Sequence, residues 1–213
     1  MGNSVNEIFA RLFERYPVLE ACSGDILAAG EIIKNAAMSG NKILVCGNGG
    51  SAADADHITG ELLKSFRKRR PLDRKFAEKL IKLDIEAGAD LAASLQGGVE
   101  AIALTHHNAL SSAFGNDVNP TLAFAQQCHI FGKPGDVFWG ITTSGNAKNV
   151  YAAALVAKAR GLKVIGMTGN GGGKLKALCD VCVAVPCSET YEVQELHLPV
   201  YHALCLYVED CLW

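Results

Sequence analysis

Residues 42–52, Lys42-Ile43-Leu44-Val45-Cys46-Gly47-Asn48-Gly49-Gly50-Ser51-Ala52, decide the fold. The first five form a short apolar run of the kind that is buried on both faces in a parallel sheet. The glycine turn then breaks it, and small residues reopen the chain as a helix. Similar apolar runs recur at 99–104, 137–142, 164–168 and 181–185, with helical patterning between them, most clearly over 147–160. Strands alternating with helices predict an α/β fold: an open parallel sheet covered by helices on both faces.

Outward from this centre, residues 5–16 and 21–39 carry apolar residues at three- and four-residue intervals, and Gly40-Asn41 supplies a stop. A C-terminal helix is expected from about Glu189 to Leu212. Between Arg70 and Gln96 lies a charged, amphipathic helical stretch, in which Gly88 and Gly97-Gly98 read as hinge or stop points. No internal repeat or low-complexity segment interrupts this plan. The expected organisation of residues 1–213 is one domain with an N-terminal helical segment (1–40) and a charged helical segment (about 72–98).

Composition narrows the function classes. Of 213 residues, 49% are hydrophobic and 20% charged, and the formal net charge is −2. That balance gives no reason to expect nucleic acid or an anionic membrane as partner. One stretch departs from the average: residues 66–84 hold eight Lys or Arg against three acids. A solvated helix capping an oligomer, a cationic lid for phosphorylated ligands, and nucleic-acid binding are the three readings, the last weakened by sparse aromatic residues. No apolar run approaches the ~20 residues that span a bilayer, and no signal-peptide pattern opens the chain. A cytoplasmic location is expected, with the eight cysteines reduced. Cys179-Asp180-Val181-Cys182 invites a zinc reading, but no second pair completes four ligands, and core cysteine is the better reading.

Two strand ends carry loops suited to an anion: Gly47-Asn48-Gly49-Gly50-Ser51 and Thr142-Thr143-Ser144-Gly145-Asn146-Ala147-Lys148. Glycines let backbone approach a phosphate, hydroxyls donate to it, and a helix N-terminus adds free N–H groups. Ordinary turn chemistry with hydroxyl N-caps is the competing reading of either loop alone. Neither loop is a dinucleotide fingerprint or a Walker loop.

His57 and Glu61 stand at i,i+4 and share one helix face; Gln194 and His202, eight apart, share another. If the two helices meet, a carboxylate, two imidazoles and an amide oxygen converge. Such a set can bind a borderline divalent metal, move protons, or both.

Taken together, the Cys46–Ser51 turn, His57/Glu61, Thr142–Asn146, Met167-Thr168-Gly169 and Gln194–His197 with His202 resemble the sugar isomerase (SIS) family, and within it the phosphoheptose isomerases. The resemblance implies a three-layer αβα sandwich with a five-stranded parallel sheet, assembled as a homotetramer, and a sugar-phosphate aldose–ketose isomerase activity. It places Ser51, Thr142, Thr143, Ser144, Asn146 and Lys148 around the phosphate. Asn48 and Asn116 or Asp117 would line the sugar end, and Gly49, Gly50 and Gln194 would also contact the substrate. His57, Glu61, Gln194 and His202 match zinc ligands, with Glu61 and His202 also the acid/base pair. The chain departs from the heptose enzymes at His107, at Tyr191-Glu192 and at Ser65, and by the charged segment. The alternative is a non-catalytic SIS-fold sensor or adaptor, such as those that bind the replication initiator DnaA; the presence of both Glu61 and His202 weighs against it.

Overall fold

The computed structural model describes residues 2–213, with side chains from Glu7 onward. Its centre is a sheet of five parallel strands: β1 Ile43–Cys46, β2 Ala101–Ala103, β3 Val137–Thr142, β4 Lys163–Thr168 and β5 Val181–Ala184, in the order β2-β1-β3-β4-β5. β1 is buried along its whole length and pairs with β2 on one side and β3 on the other. Because side chains alternate along a strand, each strand feeds two cores. Ile43, Val45, Val137, Trp139 and Met167 face one. Leu44, Cys46, Phe138 and Val164 face the other.

The first core is closed by α1 Gly2–Arg15, α2 Ser23–Met38, α3 Gly50–Leu63 and α9 Thr190–Leu212. The second is closed mainly by α7 Ala123–Phe131 and α8 Lys148–Ala159. The result is the expected three-layer αβα sandwich. The chain leaves β1 toward β2 and returns on the far side to β3, so the strand order reverses between β1 and β3. In open α/β sheets that reversal opens a crevice at the carboxyl ends of the strands.

The charged segment folds as two helices rather than one, α4 Arg74–Leu83 and α5 Ile85–Ser94, divided at Asp84, whose carboxylate caps α5 by accepting from Ala87 N (2.9 Å). Gly88 is not the hinge or stop that its position suggests. It is buried inside α5, where a Cβ would stand 2.2 Å from the Leu80 carbonyl oxygen, so it lets the hairpin pack closely.

Nor is the basic stretch uniformly solvated. Arg70 is 1% exposed and pairs with Glu209, equally buried, at 2.8 Å. Glu209 also accepts the N–H groups of Phe66, Arg67 and Lys68 at 2.8–3.0 Å. Arg70 donates in turn to the backbone carbonyls of Leu62 and Glu61, and its guanidinium lies 4.8 Å from the Trp213 ring centre. A buried charge is tolerated when it is paired and fully bonded in this way. Arg67 and Lys68 both reach Asp210. This strut fastens the end of α3 to the end of α9.

Candidate active site

Both glycine loops lie at the carboxyl ends of adjacent strands. After β1 the backbone turns at Gly47, where a Cβ would collide with the Ser51 carbonyl at 2.4 Å, and at Gly49, which has φ +56°. The turn delivers Gly50 and a buried Ser51 into the first turn of α3. After β3, Gly145 takes φ +66° in contact with Gly172, and Gly169 donates its N–H to the Thr143 carbonyl at 2.8 Å. Thr142 ends β3 and is buried; Ser144, Asn146 and Lys148 are exposed.

Several expected ligand-binding side chains are engaged within the protein. Asn48 exchanges two hydrogen bonds with Asn149, at 2.9 and 2.8 Å, tying the first loop to α8. Asn146 donates to the Ser144 carbonyl and accepts from Lys174 N, bracing the second loop. Asn116 and Asp117 lie in the last turn of α6 Asn108–Asp117, exposed, with Asn116 donating to Asp117 at 2.8 Å rather than to either loop.

The two helices that carry the expected chemistry do meet. His57 Nε2 lies 3.3 Å from Glu61 Oε1 and 3.5 Å from His202 Nε2. Glu61 is largely buried. Its Oε2 makes no hydrogen bond and has Lys64 Nζ at 3.8 Å. Gln194, on α9, has its amide against Gly50 at the start of α3, seven residues before His57, where a Cβ would come within 2.7 Å of it. Burial lowers the His202 pKa, as does the neighbouring His57, while Glu61 opposes the shift. His202 therefore favours the neutral imidazole, able to accept a proton.

Sequence reasoning missed the groups behind His57. The Tyr201 hydroxyl is 3.0 Å from His57 Nδ1 and also bonds Asp54. Burial raises the Asp54 pKa to about 6, with the Tyr201 bond and the charge of His57 pulling the other way. When Asp54 is ionised it accepts a hydrogen bond from the Tyr201 hydroxyl, and Tyr201 can then accept one from His57 Nδ1–H. That order leaves a lone pair on His57 Nε2, facing Glu61 and His202. The available signal was helical spacing, since Asp54 precedes His57 by three residues and Tyr201 adjoins His202.

Those donors suit a divalent ion: an orphan carboxylate oxygen, an imidazole backed by the Tyr201 hydroxyl, and a second imidazole whose pKa is lowered. They are gathered but not closed into a cage, for among the described residues no three His, Cys, Asp or Glu side chains form a recognisable metal-binding group. The His106-His107 pair is used elsewhere. His106 lies 3.1 Å from Asp56, and the His107 ring packs on Phe131.

His202 also borders a cleft of about 430 Å³ between α1 and α9, floored by Leu12, Phe66 and Pro199 and rimmed by Arg11, Arg15 and Arg67. Neither glycine loop contributes to its lining. Among the described residues, no helix is long and apolar enough to cross a membrane.

Known proteins share this architecture. The SIS domain family model matches residues 9–84 and 77–169. The phosphoheptose isomerase of Akkermansia muciniphila is 33% identical over 209 residues, 98% of this chain and 97% of that one. That of Rhodospirillum rubrum is 37% identical over 191 residues, covering 90% and 88%. The structure of phosphoheptose isomerase from Neisseria gonorrhoeae superposes with a TM-score of 0.74 at 30% identity, covering 98% of both chains. The chain belongs to the SIS domain family, on the branch of the phosphoheptose isomerases, enzymes of the phosphosugar isomerase class.

Proposed function

We propose that the protein interconverts a ketose phosphate and its aldose, with sedoheptulose 7-phosphate or a close relative as substrate, through a cis-enediol. The observation that carries this reading is the convergence of His57, Glu61 and His202 where α3 meets α9, with α3 opened by the first of the two phosphate-suited loops at the strand-order reversal. Moving a hydrogen between C1 and C2 needs one base at carbon and a second group to shuttle the oxygen protons. The largely buried Glu61 carboxylate takes the carbon-bound proton. His202, held neutral by burial, exchanges protons with the oxygens.

Ser51, Thr142, Thr143 and Ser144 hold the phosphate with the backbone of Gly49 and Gly50, and Lys148 adds a cation at the start of α8. Asn48 and Asn146 hold the loops in register, and Asn116 or Asp117 closes the sugar end. A divalent metal, with zinc the best chemical match, would be held by His57, Glu61, Gln194 and His202 and would supply Lewis-acid polarisation of the sugar oxygens when bound.

Assembly as a homotetramer is part of the same reading. Leu83 and Ile85, at the tip of the α4–α5 hairpin, are 86% and 81% exposed, and covering them by a second copy removes that apolar surface from water. A screen of C5 to C7 ketose and aldose phosphates, with and without added Zn²⁺, tests the activity. Interconversion of at least one pair is expected. A metal-replete, folded protein that binds a sugar phosphate yet converts none would replace the enzyme by a sensor.

A further inference from the structure

Cys179 and Cys182 have no part in the proposed reaction, and their placement is unlike that of the other cysteines. Cys179 follows the short helical turn Leu175–Leu178, and Cys182 lies in β5. Both thiols point to the same glycine of the neighbouring strand: a Cβ on Gly166 would stand 2.6 Å from Cys179 Sγ and 3.3 Å from Cys182 Sγ. The two sulfurs therefore share a space that only the missing side chain of Gly166 leaves open. They also differ in access, Cys179 being partly exposed and Cys182 buried. Cys22, Cys46, Cys128 and Cys205 are buried as well, which keeps them from an oxidant in solvent.

We propose that Cys179 and Cys182 form a reactive dithiol that closes to an intramolecular disulfide on meeting a small-molecule disulfide of the glutathione type.

The environment of the pair divides the labour. The Cys179 thiol donates toward the Leu175 carbonyl (3.3 Å), and the neighbouring Cys182 together with burial raises the Cys179 pKa. The bond from Cys179, opposed by burial and aided by the Thr168 hydroxyl and Lys176, lowers the Cys182 pKa to about 7. In the first step Cys179 gives its proton to solvent, and its sulfur, the accessible one, attacks one sulfur of the small disulfide as the thiolate. The external S–S bond breaks, and one sulfur departs as a thiolate that takes up a proton from solvent. Cys182 then loses its own proton to solvent, and its thiolate attacks Cys179 Sγ and expels the second sulfur as a thiolate that is protonated from solvent. The two cysteines lose two electrons and two protons, and the small disulfide is reduced to two thiols.

The pair lies one glycine behind the second loop. Cys182 Sγ would be 3.2 Å from a Cβ on Gly172, and Gly172 in turn contacts Gly145.

The test uses the full-length protein, reduced, freed of reductant and exposed to oxidised glutathione, followed by thiol counting in denaturant and mass mapping. The expected result is loss of two thiols with no retained glutathione, a Cys179–Cys182 link in the mapped fragment, and reversal by dithiothreitol. Cys182→Ser should instead trap glutathione on Cys179, and Cys179→Ser should leave Cys182 unmodified. A parent protein that keeps both thiols while Cys187 or Cys211 reacts would overturn the proposal. So would one that carries a lasting glutathione adduct on Cys179 without closure.

Discussion

Tyr201 holds His57 from behind: its hydroxyl lies 3.0 Å from Nδ1, on the side of the ring opposite the nitrogen that faces Glu61 and His202. Outer partners of this kind fix the tautomer and orientation of a ligating imidazole. Tyr201→Phe keeps the buried ring and removes only the hydroxyl. Zinc affinity, read by competition with a chelator, should fall about 10–100-fold while the fold is retained. Unchanged affinity would show that His57 needs no support from Tyr201.

The Arg70–Glu209 strut should be the most sensitive surface-distant element. Arg70→Ala leaves Glu209 as an uncompensated buried charge, a change that costs about 3–5 kcal/mol in denaturant unfolding. Replacing both residues by apolar ones should not restore the parent value. Glu209 also satisfies three backbone N–H groups, and each one orphaned costs about 1–3 kcal/mol. A double variant as stable as the parent would contradict this account.

His197 should make stability depend on acid. It is fully buried in α9, and burial lowers its pKa to about 4, against 6.5 for an unhindered imidazole. Below pH 6.5 the unfolded chain takes up a proton that the folded chain refuses, so stability falls between pH 6.5 and 4 and stays level with respect to this group below that. The shift corresponds to about 3 kcal/mol at most. Urea titrations at pH 7 and pH 4 should show a smaller loss for His197→Gln than for the parent. Equal losses would remove His197 as a cause.

How far the sequence reveals this molecule follows from which interactions are local. Strand runs such as Lys42–Cys46 announce themselves through composition, and the glycine turns through their residue types, because burial and backbone conformation act residue by residue. His57/Glu61 and Gln194/His202 were legible as helix faces, and their meeting across α3 and α9 was conditional until the fold supplied it. Arg70 reads as one more cation in a basic run; its burial depends on Glu209, 139 residues away. Asp54 and Tyr201 were hidden similarly, each an ordinary polar residue until packing joins them. Gly88 read as a breaker because its close contact with Leu80 belongs to a hairpin that no periodicity displays.

Ser144 separates binding from chemistry. Its hydroxyl accepts from Asn146 N at 3.2 Å and is exposed at the second loop, so Ser144→Ala both loosens that loop and removes the hydroxyl proposed to donate to the phosphate. KM for the sugar phosphate should rise more than kcat falls, the pattern of lost uniform binding. A fall confined to kcat would move Ser144 into the chemical step.

Glu61 carries the central claim. Glu61→Gln preserves size, helix and an oxygen donor while removing the base. Steady-state turnover of the sugar phosphate found in the screen is the measurement, made on zinc-replete protein alongside the substrate Kd. The account predicts that kcat falls at least ~10²-fold, within the range contributed by a positioned general base, while Kd changes only a few-fold because the phosphate is held by the glycine loops. A Glu61→Gln protein turning over within a few-fold of the parent would contradict it.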